Sequence, residues 1–275
     1  MQKLTFALAL VLAAWTPAVE AGVVYEIEVK DHEQSPPKTE ETQVASDGKN
    51  ISMDIAPGED GSRGKMIFRG DRREMVVVDD DNQTYTVIDK AAVDAISGQV
   101  SDAMKQVDEM LKNLPKEQQD AIKRAQASGM GGMPGLGATA PPKREVRITG
   151  ERDSKNGYPC VKYEELRDER KVRELWVTDW SNIEGGGDVV NAFEDMADFF
   201  AELLDSIPNF GQGGGPDAAF TEVFTHGFPV LTREFDPETG AVVSEAGLRS
   251  AKRQTIDPDA FEPPSGYKRQ EMFRP

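Results

Sequence analysis

Few residues in this chain have the chemistry of an active site, and their spacing decides what they can do. The 275 residues include two histidines, His32 and His226, and one cysteine, Cys160. A serine triad needs a base held beside its nucleophile, and no Gly-x-Ser-x-Gly elbow occurs in the chain. His32-Glu33 is not followed four residues on by the second histidine that a helical zinc site requires. Cys160 follows Pro159 in a run with Val161 and Tyr163, which is the setting of a small buried hydrophobe; a reactive thiol would need a base nearby. The acidic run from Asp79 to Asn82 lacks the alternating ligands and the glycine of a calcium loop, so it reads as a solvated hairpin turn. Gly129 and Gly131 belong to no phosphate loop, because Pro134 stands where a third glycine is needed and no strand precedes them. With 49 acids in the chain, chance pairs of carboxylates single out nothing. These residues predict a protein that is not an enzyme, with no metal and no cofactor.

The side chains left with a binding role are aromatic. Tyr25, Tyr85, Trp176, Phe193 and Phe200 either line an apolar cavity between a sheet and a helix or pack as ordinary core. The elements that would position them follow from periodicity. Val23, Tyr25, Ile27 and Val29 alternate with Glu26, Glu28 and Lys30, the pattern of a half-buried antiparallel strand. A polar stretch with Pro36-Pro37 follows. Strands are then expected over 49–55, with Ile51, Met53 and Ile55 inward, and over 65–69, 74–78 and 83–88, with a loop at 58–64. From Val93 the spacing changes to three and four, and Val93, Ile96, Val100, Met104, Val107, Leu111 and Leu114 draw one helical stripe that Pro115 breaks. A shorter helical piece at 116–126 precedes a flexible Gly/Met/Pro tether at about 128–143. Strand periodicity returns at 145–149. The stretch from Thr149 to Trp180 reads as the organising hairpin, entered through an Asn156-Gly157 corner and turning at charged residues. A second helix, from Asp188 to about Ile207, aligns Val189, Phe193, Met196, Phe200, Leu203 and Ile207, with acids and no base on its other side. A glycine-rich stretch at 208–216, strands over 220–235 and 241–256, and a tail plugged by Phe261 and Tyr267 complete the chain.

Compartment is read from the amino terminus and the charge. Lys3, the apolar run from Leu4 to Trp15 and Val19-Glu20-Ala21 have the form of a signal peptide over residues 1–21. That run is shorter than the roughly 20 residues that cross a bilayer. No cysteine lies at the cleavage point, so the expectation is an exported chain, periplasmic or secreted, with neither a lipid nor a transmembrane anchor. Residues 22–275 then form a single domain with helical insertions at about 91–127 and 188–207. The formal net charge of −17 disfavours nucleic acid and anionic membranes as partners.

Several short motifs recur together. They are Thr149-Gly150, Asn156-Gly157-Tyr158-Pro159-Cys160 with Lys162-Tyr163, Trp176-Val177-Thr178, Gly227-Phe228-Pro229 and the closing Phe261-Glu262-Pro263-Pro264-Ser265-Gly266-Tyr267. With the strands between Lys65 and Tyr85, this ordered set resembles an exported bacterial family of the domain of unknown function 4412 type, itself similar to the lipoprotein carriers LolA and LolB. The resemblance implies an α+β fold, a curved antiparallel sheet forming a half-open barrel with helical insertions covering one face. It also implies binding of acyl chains. The chain departs from the carriers in its long helical insertions and its acidity. Two functions follow as expectations: a binding protein that holds an apolar or lipid-like ligand in the concave sheet, or an envelope module that meets a protein partner and has no small-molecule ligand.

Overall fold

The computed structural model describes residues 20–55, 62–116, 118, 143–206 and 223–271. The alternating segment at the start forms β1 (Glu20–Asp31), which begins two residues before the expected mature start at Gly22. It is followed by β2 (Lys38–Ser46), β3 (Asn50–Ile55), β4 (Gly64–Arg69), β5 (Glu74–Asp79) and β6 (Thr84–Ile88). The first three-and-four stripe is α1 (Lys90–Lys112), started by Asp89, whose side chain accepts from the Ala92 N–H at 2.8 Å. Beyond it come β7 (Arg144–Lys155), β8 (Tyr158–Arg167), β9 (Arg170–Thr178), α2 (Gly186–Ser206), β10 (Phe228–Phe235), β11 (Val242–Ile256) and β12 (Lys268–Gln270).

Among the described residues these strands make one open sheet of 12 strands in the order β12-β6-β5-β4-β3-β2-β1-β11-β10-β9-β8-β7. Every pairing is antiparallel except that of β12 with β6. The order resolves into two meanders, β1 to β6 and β7 to β11, joined where β1 pairs with β11 from Glu20↔Ile256 to Asp31↔Ser244. The two-residue turns carry the expected chemistry: Asn156 and Gly157 have φ of 51° and 88°, and Asp168 and Glu169 have 50° and 65°. Positive φ at both central residues gives the turn twist that matches the twist of paired strands.

Three expectations change. The stretch from Thr149 to Trp180 is not the centre of the sheet: it supplies β8, β9 and part of β7, and β7 is a free edge. The polar stretch after Pro37 is a strand, β2, paired along β1 from Val23↔Ser46 to Asp31↔Lys38. Ile55 does not point inward but ends β3 exposed, while Ile51 is fully buried. The tether at 128–142, the second helical piece beyond 118, most of the loop at 58–64 and the glycine-rich stretch at 208–216 lie outside the described residues, as do residues 1–19 of the expected leader.

In the first meander β1, β4, β5 and β6 bury side chains on both faces, which explains their near-continuous apolar runs. Tyr25, Ile51, Phe68, Met75 and Ile88 join the cluster beneath α2. Their chain neighbours Val24, Ile67, Val76 and Val87 join a second cluster on the other side with Ile256, Phe261 and Tyr267. α1 touches β6 and α2, and Val93 is buried at its start.

The amino end of α2 is pinned rather than hinged. Gly185 has φ +70°, and a Cβ there would stand 2.1 Å from Val23 Cγ2; a Cβ on Gly186 would stand 2.1 Å from the Trp180 carbonyl oxygen. Gly185→Ala therefore forces both a left-handed alanine and an overlap with β1. A loss of about 2–4 kcal/mol in urea unfolding is expected; an unchanged midpoint would mean that this close approach does not seat the helix.

Candidate functional site

The apolar stripe of α2 projects Val189, Phe193, Met196, Phe200 and Leu203 into the core, with Phe199 beside them. What receives them is aromatic. The Tyr25 ring stacks on Phe228 with centroids 4.9 Å apart and meets Phe193 edge-on at 6.4 Å. Phe193 lies 5.2 Å from Trp180 and 5.3 Å from Phe224, and Phe199 bridges Phe68 at 5.8 Å and Phe200 at 6.1 Å. Such pairs each add roughly 0.5–1.5 kcal/mol beyond the area they bury. Trp180 places its indole by donating to the Phe224 carbonyl at 3.0 Å.

Of the five aromatic candidates, the structure brings Tyr25, Phe193 and Phe200 into this one cluster. Trp176 is buried with them, but Lys155 Nζ lies 4.3 Å from its ring centroid. Tyr85 is not part of the group: it sits in the cluster on the opposite face, in a cleft beside Arg69. Trp180, Phe224 and Phe228 were not among the candidates. Phe228 was legible as part of Gly227-Phe228-Pro229, whereas Phe224 follows a stretch with no period of its own.

One polar atom sits unpartnered among these rings. The Tyr25 hydroxyl is buried and has no hydrogen-bond partner among the described residues. Burial pushes its ionisation well above the ordinary tyrosine value, with the Asp188 carboxylate adding to the effect, so it is a neutral donor at any physiological pH. An orphaned hydroxyl of this kind costs on the order of 1–3 kcal/mol.

Away from α2 the sheet carries charge. Lys30 Nζ lies 4.0 Å from Glu245, Arg233 reaches Glu245 at 2.7 Å and Glu174 at 3.5 Å, and Lys162 reaches Glu174 at 3.5 Å. Lys30↔Glu245, Glu245↔Arg233 and Arg233↔Glu174 are register partners, so signs alternate across β1, β11, β10 and β9. Burial raises the Glu174 carboxyl, but the Trp176 indole N–H at 2.9 Å and the Lys162 and Lys171 ammonium groups outweigh it and hold the group below its ordinary value.

Cys160 is a free, buried thiol pushed up by desolvation, and His226 stacks on Tyr163 at 6.0 Å. Among the described residues no group of three or more His, Cys, Asp or Glu is set to hold a metal ion, and no helix is long and apolar enough to cross a membrane.

No family model and no curated protein matches the chain. Its likenesses are to solved structures. An uncharacterized conserved protein from Thermus thermophilus is 7% identical at a TM-score of 0.41, covering 90% of this chain and 89% of that one. MucB, in the MucA/MucB complex of Pseudomonas aeruginosa, is 10% identical at 0.28; the match covers 88% of this chain and 55% of that chain. The LolA superfamily protein NE2245 from Nitrosomonas europaea is 9% identical at 0.26, with 90% and 91% covered. At these scores no activity is carried across, and the motif resemblance to the 4412-type family rests on those residues alone.

Two measurements check the site's physics. Tyr25→Phe removes a buried donor that has no partner among the described residues, so the variant is expected to be more stable by about 1–2 kcal/mol in urea; a loss of stability would reveal a partner for the hydroxyl. For Glu174, the depressed folded value means that its stabilisation is complete above the ordinary 4.5 and is lost as pH falls through the lower folded value. Subtracting the acid-unfolding curve of Glu174→Gln from that of the parent should leave a difference that shrinks below that pH, and a pH-independent difference would remove Glu174's charge from the account.

Proposed function

We propose that this chain is an exported, non-catalytic binding protein that takes an apolar chain ending in a hydrogen-bond acceptor between its sheet and α2. The observation that carries the reading is the Tyr25 hydroxyl, a neutral donor with no partner among the described residues, on a ring packed against Phe193 and Phe228 and within reach of the Asp188 and Arg253 charges. A carboxylate or ester oxygen entering there would satisfy the donor while its hydrocarbon replaces helix side chains against the sheet. This reading requires the helix to move. Its amino end is held by Gly185 on Val23, so opening is a swing of the carboxyl half that uncovers Phe68, Phe199, Phe200 and Leu203. Hydrocarbon buried in the same place gains about 0.8 kcal/mol per methylene, which is enough for a long acyl chain to compete with the helix. The leader-like residues at the amino terminus support export, and the polar outer side of α2 keeps the closed form in water.

The test uses the purified protein and a pyrene-labelled fatty acid. Saturable uptake is expected, weakened about tenfold by Tyr25→Phe, the loss of one hydrogen bond to a charged acceptor. No saturable uptake, together with a native mass spectrum holding only the protein's own mass, would sink the reading. A second function then has an observation behind it. Glu194, Asp195 and Asp198 are exposed on α2 and make no ion pair among the described residues, a face suited to a basic envelope protein.

A further inference from the structure

On the face opposite α2, a cleft of about 550 Å³ opens between the β4–β5 hairpin and the carboxyl-terminal segment. That size falls within the range of small-ligand sites. In a chain of net charge −17 its lining is basic, with Arg69, Arg72 and Arg269 set against Glu74 and Glu262. The elements hold it firmly. β12 lies parallel to β6 with Arg269 in register with Tyr85, and both side chains line the cleft. Tyr267 anchors the segment by donating to Asp80 at 2.9 Å.

Arg69 is the centre of the arrangement. It is 6% exposed, deep burial for a charged side chain. One terminal nitrogen pairs with Glu74 at 2.6 Å and the other with Glu262, whose second oxygen is held by Arg72 at 2.9 Å. The remaining donor, Arg69 Nε, is buried without a partner among the described residues. So is an acceptor, Oδ1 of Asn50, the register partner of Arg69 on β3. Both residues line an adjoining hollow of about 230 Å³, whose lining also carries the acids Asp47 and Asp71.

We propose that the larger cleft is a binding site for a compact oxyanion, a carboxylate or phosphate carried by a small ligand. The grip is already visible. Two guanidinium groups hold the carboxylate of Glu262, which reaches them from 193 residues away and is 43% exposed. Glu262 thus occupies the site as the chain's own anion. Arg269 makes no ion pair among the described residues and stands at the same cleft. An incoming oxyanion meets Arg269 and Arg72 first and gains Arg69 as Glu262 turns to solvent; Arg forks suit this because they bond both oxygens of such a group. Tyr85 and the Pro263-Pro264 wall give the ligand's body an apolar side to lie on.

The test is calorimetric titration of the full chain with inorganic phosphate and, separately, with succinate. Saturable binding of at least one is expected, and the one preferred tells phosphate-bearing from carboxylate-bearing ligands. Arg72→Ala and Arg269→Ala, both at exposed positions, should each weaken it at least tenfold. Glu262→Gln removes the charge of the internal competitor and should tighten it several-fold, whereas Arg249→Ala, on β11 outside the cleft, should leave it unchanged. Circular dichroism confirms the fold of each variant, and two arginine variants allow for one misfolding. Absence of saturable heat with either probe in both the parent and Glu262→Gln overturns the proposal. So does binding that both arginine variants leave intact.

Discussion

The pairing of β1 with β11 is the constraint on which the rest of this molecule depends. It is the one strand contact, among the described residues, between the amino-terminal meander and the carboxyl-terminal one. The loop it closes runs through nearly the whole chain, and although closure entropy grows only slowly with length, a bare ladder of hydrogen bonds would not offset it. Burial on both faces of the junction does. On one side Gly185 lies against Val23, and Phe193 meets the ring of Tyr25. On the other, Val24 and Ile256 pack with Phe261 from the turn that follows β11. Helix and tail clamp the same seam from opposite sides.

That double burial also sets how much was legible in the sequence. Alternation at Val23 to Val29 and the runs at 65–69 and 74–78 marked strands correctly, because branched and aromatic residues on a pleat carry the signal themselves. The stripe of α2 did the same for Phe193 and Phe200. β2 was missed because its residues, Lys38–Ser46, are mostly threonine, glutamate and glutamine; it is a strand because β1 offers it a full ladder, while burial is confined to its last residues, with Val44 and Ser46 buried. The hairpin at 149–180 read strongly for the opposite reason. Its turns and aromatics are local signals, and local strength says nothing of position in a sheet, where it falls at the edge.

Tyr85 shows where parity fails. Successive residues of a strand point to opposite faces, and when only one face is apolar the pattern says which one holds the core. In β6 both faces are apolar: Val87 lies on the same side as Tyr85, and Ile88 lies beneath α2. Nothing in Tyr85's neighbours could assign it to the helix side or the other. The Arg69–Glu262 pair was hidden for a related reason. Its partners are 193 residues apart in a chain with 49 acids, so no spacing could have selected that carboxylate from the rest.

The sheet therefore acts as a partition with polar groups on each side that have no partner among the described residues: the Tyr25 donor beneath α2, and Arg69 Nε with Asn50 Oδ1 behind it. A group of this kind at a surface would turn to water. Here packing and pairing restrain it: the Tyr25 ring lies against Phe193 and Phe228, and Arg69 is held by Glu74 and Glu262. Rigidity of that sort is what lets a binding site hold its donors in place before a ligand arrives, so that little ordering remains to be done on binding. The two sides differ in what surrounds the unmatched atom, rings on one and guanidinium groups on the other. The two faces thus present different chemistry, and the two sets of residues share no side chain.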